Sequence, residues 1–372
     1  MKYYIIAGEA SGDLHGSNLI KEIHKKDTHA SIRAWGGDLM EKAGAHLVKH
    51  YRNLAFMGFL EVLLNLRTIL KNIKTCKSDI LDFKPDVLIF IDYPGFNMRI
   101  AKWAKTQGIH THYYIAPQVW AWKENRVNAI KRDVDKMSVI LPFEKQFFEE
   151  KHQFPVNFVG HPLLDAVETF QAGSEEDFRT ANGLDAQKPI IALLPGSRKQ
   201  EIRKLLKVML QSVQKFSDYQ FVIAGAPGQE EAFYQPFLSN QANVFWVQNQ
   251  TYRLLSFSYA ALVTSGTATL ETALFEVPQV VCYKGNGISY QIAKRIVNLD
   301  YISLVNLVLE KEVVTELIQS DCHAERITKE LEAILHTNKR DAILSNYTLL
   351  KTQLGGKGAS QRVAESIINQ LS

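Results

Sequence analysis

Cysteine is scarce in this chain: Cys76, Cys282 and Cys322 are the whole set in 372 residues. They are scattered, with no CxxC pair and no histidine at metal-ligand spacing, which excludes a disulfide framework and a zinc ribbon. They read as reduced thiols of a cytoplasmic protein. Long apolar runs are missing as well. No stretch offers 18 mostly apolar residues, so no membrane span is expected; the charge-free Leu254–Leu270 is too rich in Ser, Thr and Gly. The first residues carry one lysine and a strand-length apolar run, without the long hydrophobic region or cleavage site of a secretory signal. Charge of one sign is lacking too. With 43 basic and 39 acidic residues the net charge is +4, which gives no nucleic-acid footprint, and no nucleic-acid partner is expected. Repeats and low-complexity tracts are absent.

What is present is an ordinary globular composition, 46% hydrophobic and 22% charged. The length exceeds what a single core usually fills, so two domains are expected. Residues 1–172 hold 23 basic against 19 acidic residues and nine of the eleven histidines. A mildly basic first half suits an anionic ligand or an anionic membrane surface.

Apolar strand-like runs alternate with helical patterns almost throughout, which predicts parallel sheets with helices on both faces. Strands are expected at Tyr3–Ala7, Ser31–Trp35, Val87–Asp92, His110–Ile115, Met137–Leu141 and Asn157–Val159. Helices are expected near Leu14–Lys26, Phe56–Lys74, Asn97–Gln107, Glu124–Arg132 and Glu144–His152. The polar stretch 169–188 lacks a sustained apolar pattern and reads as a linker. A second series follows, with strands Ile190–Leu194, Gln220–Ala224, Val244–Val247, Ala260–Thr264 and Gln279–Cys282. Its helices are Glu201–Phe216 and Thr267–Phe275, and the chain is helical from about Ala324, closing with Ser360–Leu371. The expected fold class is α/β: Rossmann-like domains at 1–168 and 189–349 facing a central cleft, then a final helical segment at 350–372.

Several loops could carry chemistry. "LLPGSRKQEI" puts Gly196, Ser197 and Arg198 between a buried strand and a helix, where backbone N–H groups and an arginine make a diphosphate cradle. "VTSGTATLE" repeats the arrangement with Ser265, Gly266 and Thr267, and adds Glu271, a carboxylate able to accept both hydroxyls of a ribose. Alone, each also reads as an ordinary strand–helix turn; together in one domain they read as a nucleotide site. Neither has GxxxxGK[ST], so phosphoryl transfer from ATP is not expected.

In the first half, "DVLIFIDYPGFN" places Asp92 at the carboxyl end of a strand, a position for a general base, or for a turn-forming Asp before Tyr93-Pro94-Gly95. "QVWAWKENR" sets Trp120 and Trp122 beside Lys123 and Arg126. That suits an amphipathic ligand with a charged head, though both indoles could equally be core. The opening "GEASGD" has a nucleotide-loop shape, but Glu9 and Asp13 would repel a phosphate. With the nucleotide assigned to the second domain, Glu9, Ser11 and Gly12 are expected on the acceptor side. Ser11 and Gly12 would let substrate approach the backbone, and Asp13 would either meet sugar hydroxyls with Glu9 or cap the helix from Leu14. His161 beside Pro162 reads as structural. Finally Phe56, Phe59, Leu60, Leu63, Arg67, Leu70 and Ile73 share one helical face, widened by Met57 and Leu64 and trailed by lysines. Such a helix is either buried or lies in a membrane interface.

In this order the segments GEASGD, GGDLMEKAG, MGFLEVL, KPDVLIFIDYPGFN, PQVWAWKENRV, LPFEKQFF, FVGHPLLD, LLPGSR, SGTATLE and DYISLVNL resemble the lipid-A-disaccharide synthases. These are inverting glycosyltransferases of the two-Rossmann-domain, GT-B type. The resemblance covers nearly the whole chain. It implies an acylated UDP-sugar donor and an acylated sugar-phosphate acceptor, joined at the inner membrane surface by a cytoplasmic, peripherally bound enzyme. It implies Asp92 as base, Arg198 against the charge on departing UDP, Asn306 as a further donor-site residue, and no metal or other cofactor. It turns Phe56, Met57, Phe59, Leu60, Leu63 and Leu64 into membrane or acyl-chain contacts. It implies that 350–372 crosses back to the first domain, and it admits a homodimer through that segment. The family often has a second acidic residue where this chain has Gly95, so Asp92 is expected to act alone.

Two rivals differ in class. A non-hydrolysing UDP-N-acetylglucosamine epimerase would share the scaffold but need no apolar surface at 56–66. A peripheral lipid- or nucleotide-binding module would need no base. A dinucleotide oxidoreductase is disfavoured because Gly8, Gly12 and Gly16 do not make GxGxxG and Gly36-Gly37 carries no acidic tip.

Overall fold

The computed structural model describes residues 1–54, 66–239, 241–285, 300–336 and 338–371. The chain forms two compact units: Met1–Asp165 with Leu354–Ser372, and Ala166–Gln353. Each is a doubly wound α/β unit.

In the first unit Tyr3 to Ala7 are all fully buried. Alternate side chains enter opposite layers: Tyr3, Ile5 and Ala7 join one apolar cluster, Tyr4 and Ile6 the other. A strand covered on both faces is the signature of a parallel sheet. Seven strands form it: β1 Lys2–Ala7, β2 Ser31–Gly36, β3 His46–His50, β4 Val87–Ile91, β5 His110–Tyr114, β6 Lys136–Val139 and β7 Asn157–Phe158. Their order is β3-β2-β1-β4-β5-β6-β7, all pairs parallel. The order reverses between β1 and β4, and ligands bind outside the carboxyl ends at such a point.

The second unit repeats the plan with β8 Ile190–Leu194, β9 Gln220–Gly225, β10 Val244–Gln248, β11 Ser258–Thr264, β12 Gln279–Tyr283 and β13 Glu316–Ile318. Its order is β10-β9-β8-β11-β12-β13, with the reversal between β8 and β11. Sequence patterning misses β3 and β13 because HLVKH and the three-residue ELI carry no continuous apolar run of strand length.

Three expected boundaries move, while the closing segment belongs with the first unit as the resemblance implies. The stretch 169–188 is not a bare linker. Ser174 caps a helix over Glu175–Ala181, its Oγ accepting from the Asp177 N–H at 3.3 Å, and Phe178 is fully buried in the second unit's core. The chain passes between units at Asp165/Ala166 and returns at Gln353/Leu354, and the last helix, Ala359–Leu371, buries Val363, Ala364 and Ile367 beside Leu19, Ile20 and Ile23. The first helix begins at Ala10, not Leu14, with Glu9 at its N-cap.

Asp13 therefore lies inside that helix and cannot cap it. Its carboxylate instead accepts from the N–H groups of Gly37 (2.8 Å), Leu39 (3.2 Å) and Met40 (3.0 Å), capping the neighbouring helix Asp38–Lys42. The expected contacts Phe56, Met57, Phe59, Leu60, Leu63 and Leu64 lie outside the described residues. Downstream, the helix Leu66–Phe83 buries Cys76 and Ile80 while Leu70 stays 57% exposed. Among the described residues no helix is long and apolar enough to cross a membrane.

Candidate active site

In the first unit the loops after β1 and β4 meet at the reversal point. Asp92 and Tyr93 follow β4 with φ of +44° and +50°, two successive left-handed L-residues. Each such residue costs on the order of 1–3 kcal/mol and persists only when its surroundings hold it. Here the Asp92 carbonyl accepts from the Tyr113 hydroxyl at 2.6 Å and from Asn97 Nδ2 at 2.7 Å. The Tyr93 ring lies on Gly8, where a Cβ would come within 2.3 Å of it. Burial pushes the Asp92 carboxyl up to about 6, the negative charge of Glu9 adds to the rise, and a hydrogen bond from the Tyr93 N–H opposes it. Asp92 thus does not stand electrostatically alone. Glu9 is exposed, and extended backbone carries it out at the first helix's N-cap.

The other first-unit candidates separate. Ser11 is exposed. Gly12 is turned to the sheet, where a Cβ would sit 3.0 Å from that of Ala7; its small size lets helix approach strand and does not admit substrate, contrary to expectation. Trp120 is half-buried, its ring edge-on to Phe143 and its Nε1 donating to Glu144 Oε1 at 3.1 Å. Trp122 is 46% exposed, with Lys123 Nζ 4.5 Å and the Arg126 guanidinium 5.4 Å from its ring. His161 is buried, and its Nδ1 accepts from the Leu163 N–H at 3.2 Å.

Sequence reasoning missed three supporting residues. Asn97 and Tyr113 pin the Asp92 carbonyl, and nothing in residue type or spacing marks them. Glu144 is buried and also accepts from the N–H groups of Ile140 (3.1 Å) and Leu141 (2.9 Å). Burial pushes its carboxyl up to about 7 against those hydrogen bonds. "LPFE", with Pro142 opening a helix and an acid at its third position, is a capping signature that could have revealed it.

In the second unit the loops after β8 and β11 border a cavity of about 600 Å³. It is lined by Gly196, Ser197, Arg198, Ser265, Gly266, Thr267 and Glu271, and further by Glu201, Gly225 and Tyr283. The size suits a nucleotide-like ligand. Arg198 is exposed at the N-cap of the helix Lys199–Val213, with no carboxylate partner among the described residues. Gly196 has φ +104°, which favours glycine, and the Glu201 carboxylate lies close against it, Oε2 2.5 Å from where a Cβ would sit. Gly266, at φ +137°, faces open space.

Glu271 accepts from the Tyr252 hydroxyl at 2.9 Å; burial raises its carboxyl and that hydrogen bond opposes the rise. Asn306 departs from expectation: it is fully buried and absent from the cavity wall. Its Nδ2 donates to the Val314 carbonyl and to Glu316 Oε1, both at 2.8 Å, and its Oδ1 accepts from the Val313 and Val314 N–H groups at 2.8 and 3.0 Å. Glu316 in turn accepts from the Ile302 and Ser303 N–H groups, and Ser265 Oγ donates to the Ile302 carbonyl. Asn306 frames the cavity through this chain of bonds.

A loop pair bearing Asp92 in one unit and one bearing Arg198 in the other narrow the field, and sequence comparison decides. The family model described as lipid-A-disaccharide synthetase matches residues 3–370. The chain belongs to that family, and is a glycosyltransferase by membership. It is 41% identical to the lipid-A-disaccharide synthase of Geobacter metallireducens, over 99% of this chain and 96% of that one. The Coxiella burnetii synthase is 38% identical over 98% and 97%. Among solved structures, a Neisseria meningitidis UDP-GlcNAc 2-epimerase bound to UDP-GlcNAc superposes with TM-score 0.72 at 14% identity, covering 99% of this chain and 100% of that one. The kitacinnamycin glycotransferase gives 0.68 at 13%, covering 100% and 99%. At such identities the likeness is one of fold, the two-Rossmann-domain GT-B architecture. The epimerase reading is therefore not favoured: its fold is shared, while the whole-chain sequence match is to the synthetase family.

Proposed function

We propose that the chain transfers a 2,3-diacylglucosaminyl group from its UDP conjugate to the 6-hydroxyl of 2,3-diacylglucosamine 1-phosphate, giving a β-1,6-linked tetraacyl disaccharide 1-phosphate and UDP. Asp92 takes the hydroxyl proton as the oxygen bonds to the anomeric carbon. The carbon–oxygen bond to UDP breaks in the same inverting step, its electron pair leaving on the diphosphate. Gly196, Ser197 and Arg198 receive the diphosphate, with Ser265, Gly266 and Thr267 at the second helix start, and Arg198 offsets the growing charge. Glu271, held by Tyr252, takes the ribose hydroxyls. Glu9, Ser11, Trp120 and Trp122 serve the acceptor side.

The observation that carries this reading is Asp92: a strained, half-buried carboxylate raised to about 6 at the sheet's reversal point. Such a group is ionised at neutral pH yet more basic than an ordinary carboxylate. The finer parts of the reading are peripheral attachment to the inner face of the cytoplasmic membrane through 56–64, and a homodimer through the C-terminal segment. The test incubates the purified protein with both acylated sugars and follows UDP release and product mass. Turnover of unacylated UDP-N-acetylglucosamine alone, with no disaccharide, would refute the reaction.

A further inference from the structure

A second cavity, of about 280 Å³, lies in the first unit, its wall beginning at Pro94. It is bounded by the start of the helix Pro94–Thr106, by Pro117 and Val119 of the loop after β5, and by the helix Val127–Asp133. Both loops leave the carboxyl edge of the sheet, and Pro94 is two residues from Asp92. Its wall is almost wholly apolar, with Pro94, Met98, Val119 and Ile130 among the lining side chains. Among the described residues the charged groups on the wall are Arg99 and Arg126, both exposed and neither with a carboxylate partner there. Gly95 is also on the wall. A Cβ there would meet nothing within 4 Å, and its φ lies outside the left-handed region, so the glycine leaves space that a side chain could fill without backbone strain.

An apolar chamber rimmed by two guanidinium groups with no carboxylate partner among the described residues matches an anionic amphiphile: a hydrocarbon chain inside, a phosphate at the mouth. A nucleotide is excluded because the chamber has almost no polar wall for a base or ribose. We propose that this cavity receives one acyl chain of the acceptor, with Arg99 and Arg126 binding the acceptor's phosphate at its mouth. The inference rests on the acceptor reading above, and it adds the residues that select for chain and phosphate together.

The test separates the two claims. Binding of decyl phosphate, a non-reacting probe, is followed by fluorescence of the exposed Trp122, and acceptor KM is measured in parallel. Wild-type protein should bind decyl phosphate, with affinity falling about fourfold per methylene removed. Gly95→Leu should abolish that binding and raise the KM of the long-chain acceptor at least tenfold, with a smaller rise for a short-chain acceptor and a donor KM within about twofold of wild type. Arg99→Ala with Arg126→Ala should weaken decyl phosphate but not decanol. Wild-type turnover with decyl phosphate unbound, or bound equally by Gly95→Leu, overturns the subsite and leaves the reaction standing. Decyl phosphate bound and lost in the variants, without disaccharide formation, keeps the subsite and removes the reaction.

Discussion

The carboxyl of Asp92 is pushed up to about 6, suited to the proposed base at neutral pH, by burial and by one neighbouring charge. Burial disfavours the charged form, and Glu9 adds a like charge. Rate should therefore fall as pH drops through about 6, when Asp92 takes up its proton. Glu9→Gln removes a repulsion from the ionised form, lowers the Asp92 pKa, and should move this acid limb to lower pH; an unmoved limb in the pH–rate profile would separate Glu9 from Asp92. Asp92→Asn should keep the fold and cost about a hundredfold or more in turnover. In the second unit, Glu201 holds its carboxylate against the glycine that opens the proposed diphosphate cradle. Glu201→Gln should tighten UDP by about threefold, measured calorimetrically, because a like charge leaves the anion's neighbourhood.

Elements explain what could be read in advance. Central strands announce themselves because both faces are covered, so β1, β4, β8 and β11, and with them the loops bearing Glu9, Asp92, Gly196 and Ser265, were legible from apolar runs alone. The edges β3 and β13 were not, since HLVKH and ELI carry no continuous apolar run of strand length. Direction was the other blind spot. Asp13, Gly12 and Asn306 have the residue types of a binding loop, yet their partners lie across the sequence, in Gly37–Met40, Ala7 and Val313–Glu316, and no local spacing encodes those. Asn306→Ala should leave buried groups unpaired at a cost of about 1–3 kcal/mol and lower the melting temperature along with UDP binding. A loss of binding at unchanged melting temperature would put Asn306 on the ligand after all. Glu144 gives an element-scale pH effect. Its folded pKa stands above the ordinary value, so between about 4.5 and 7 the native state binds more protons than the unfolded chain and stability falls as pH rises. Glu144→Gln should flatten that slope in denaturant titrations.

At the scale of the molecule, the first unit is discontinuous: the 188 residues of Ala166–Gln353 separate its body from Leu354–Ser372. Its closing helix fills a groove in the core with Val363, Ala364 and Ile367. On the ribosome, then, the second unit is synthesised whole while the first is still missing its last helix. At about 5–20 residues per second the wait is on the order of 10–40 s. For that time Leu19, Ile20 and Ile23 lack the cover of Val363, Ala364 and Ile367 and have only the sheet side of their core, which makes the nascent first unit a natural client for a holding chaperone.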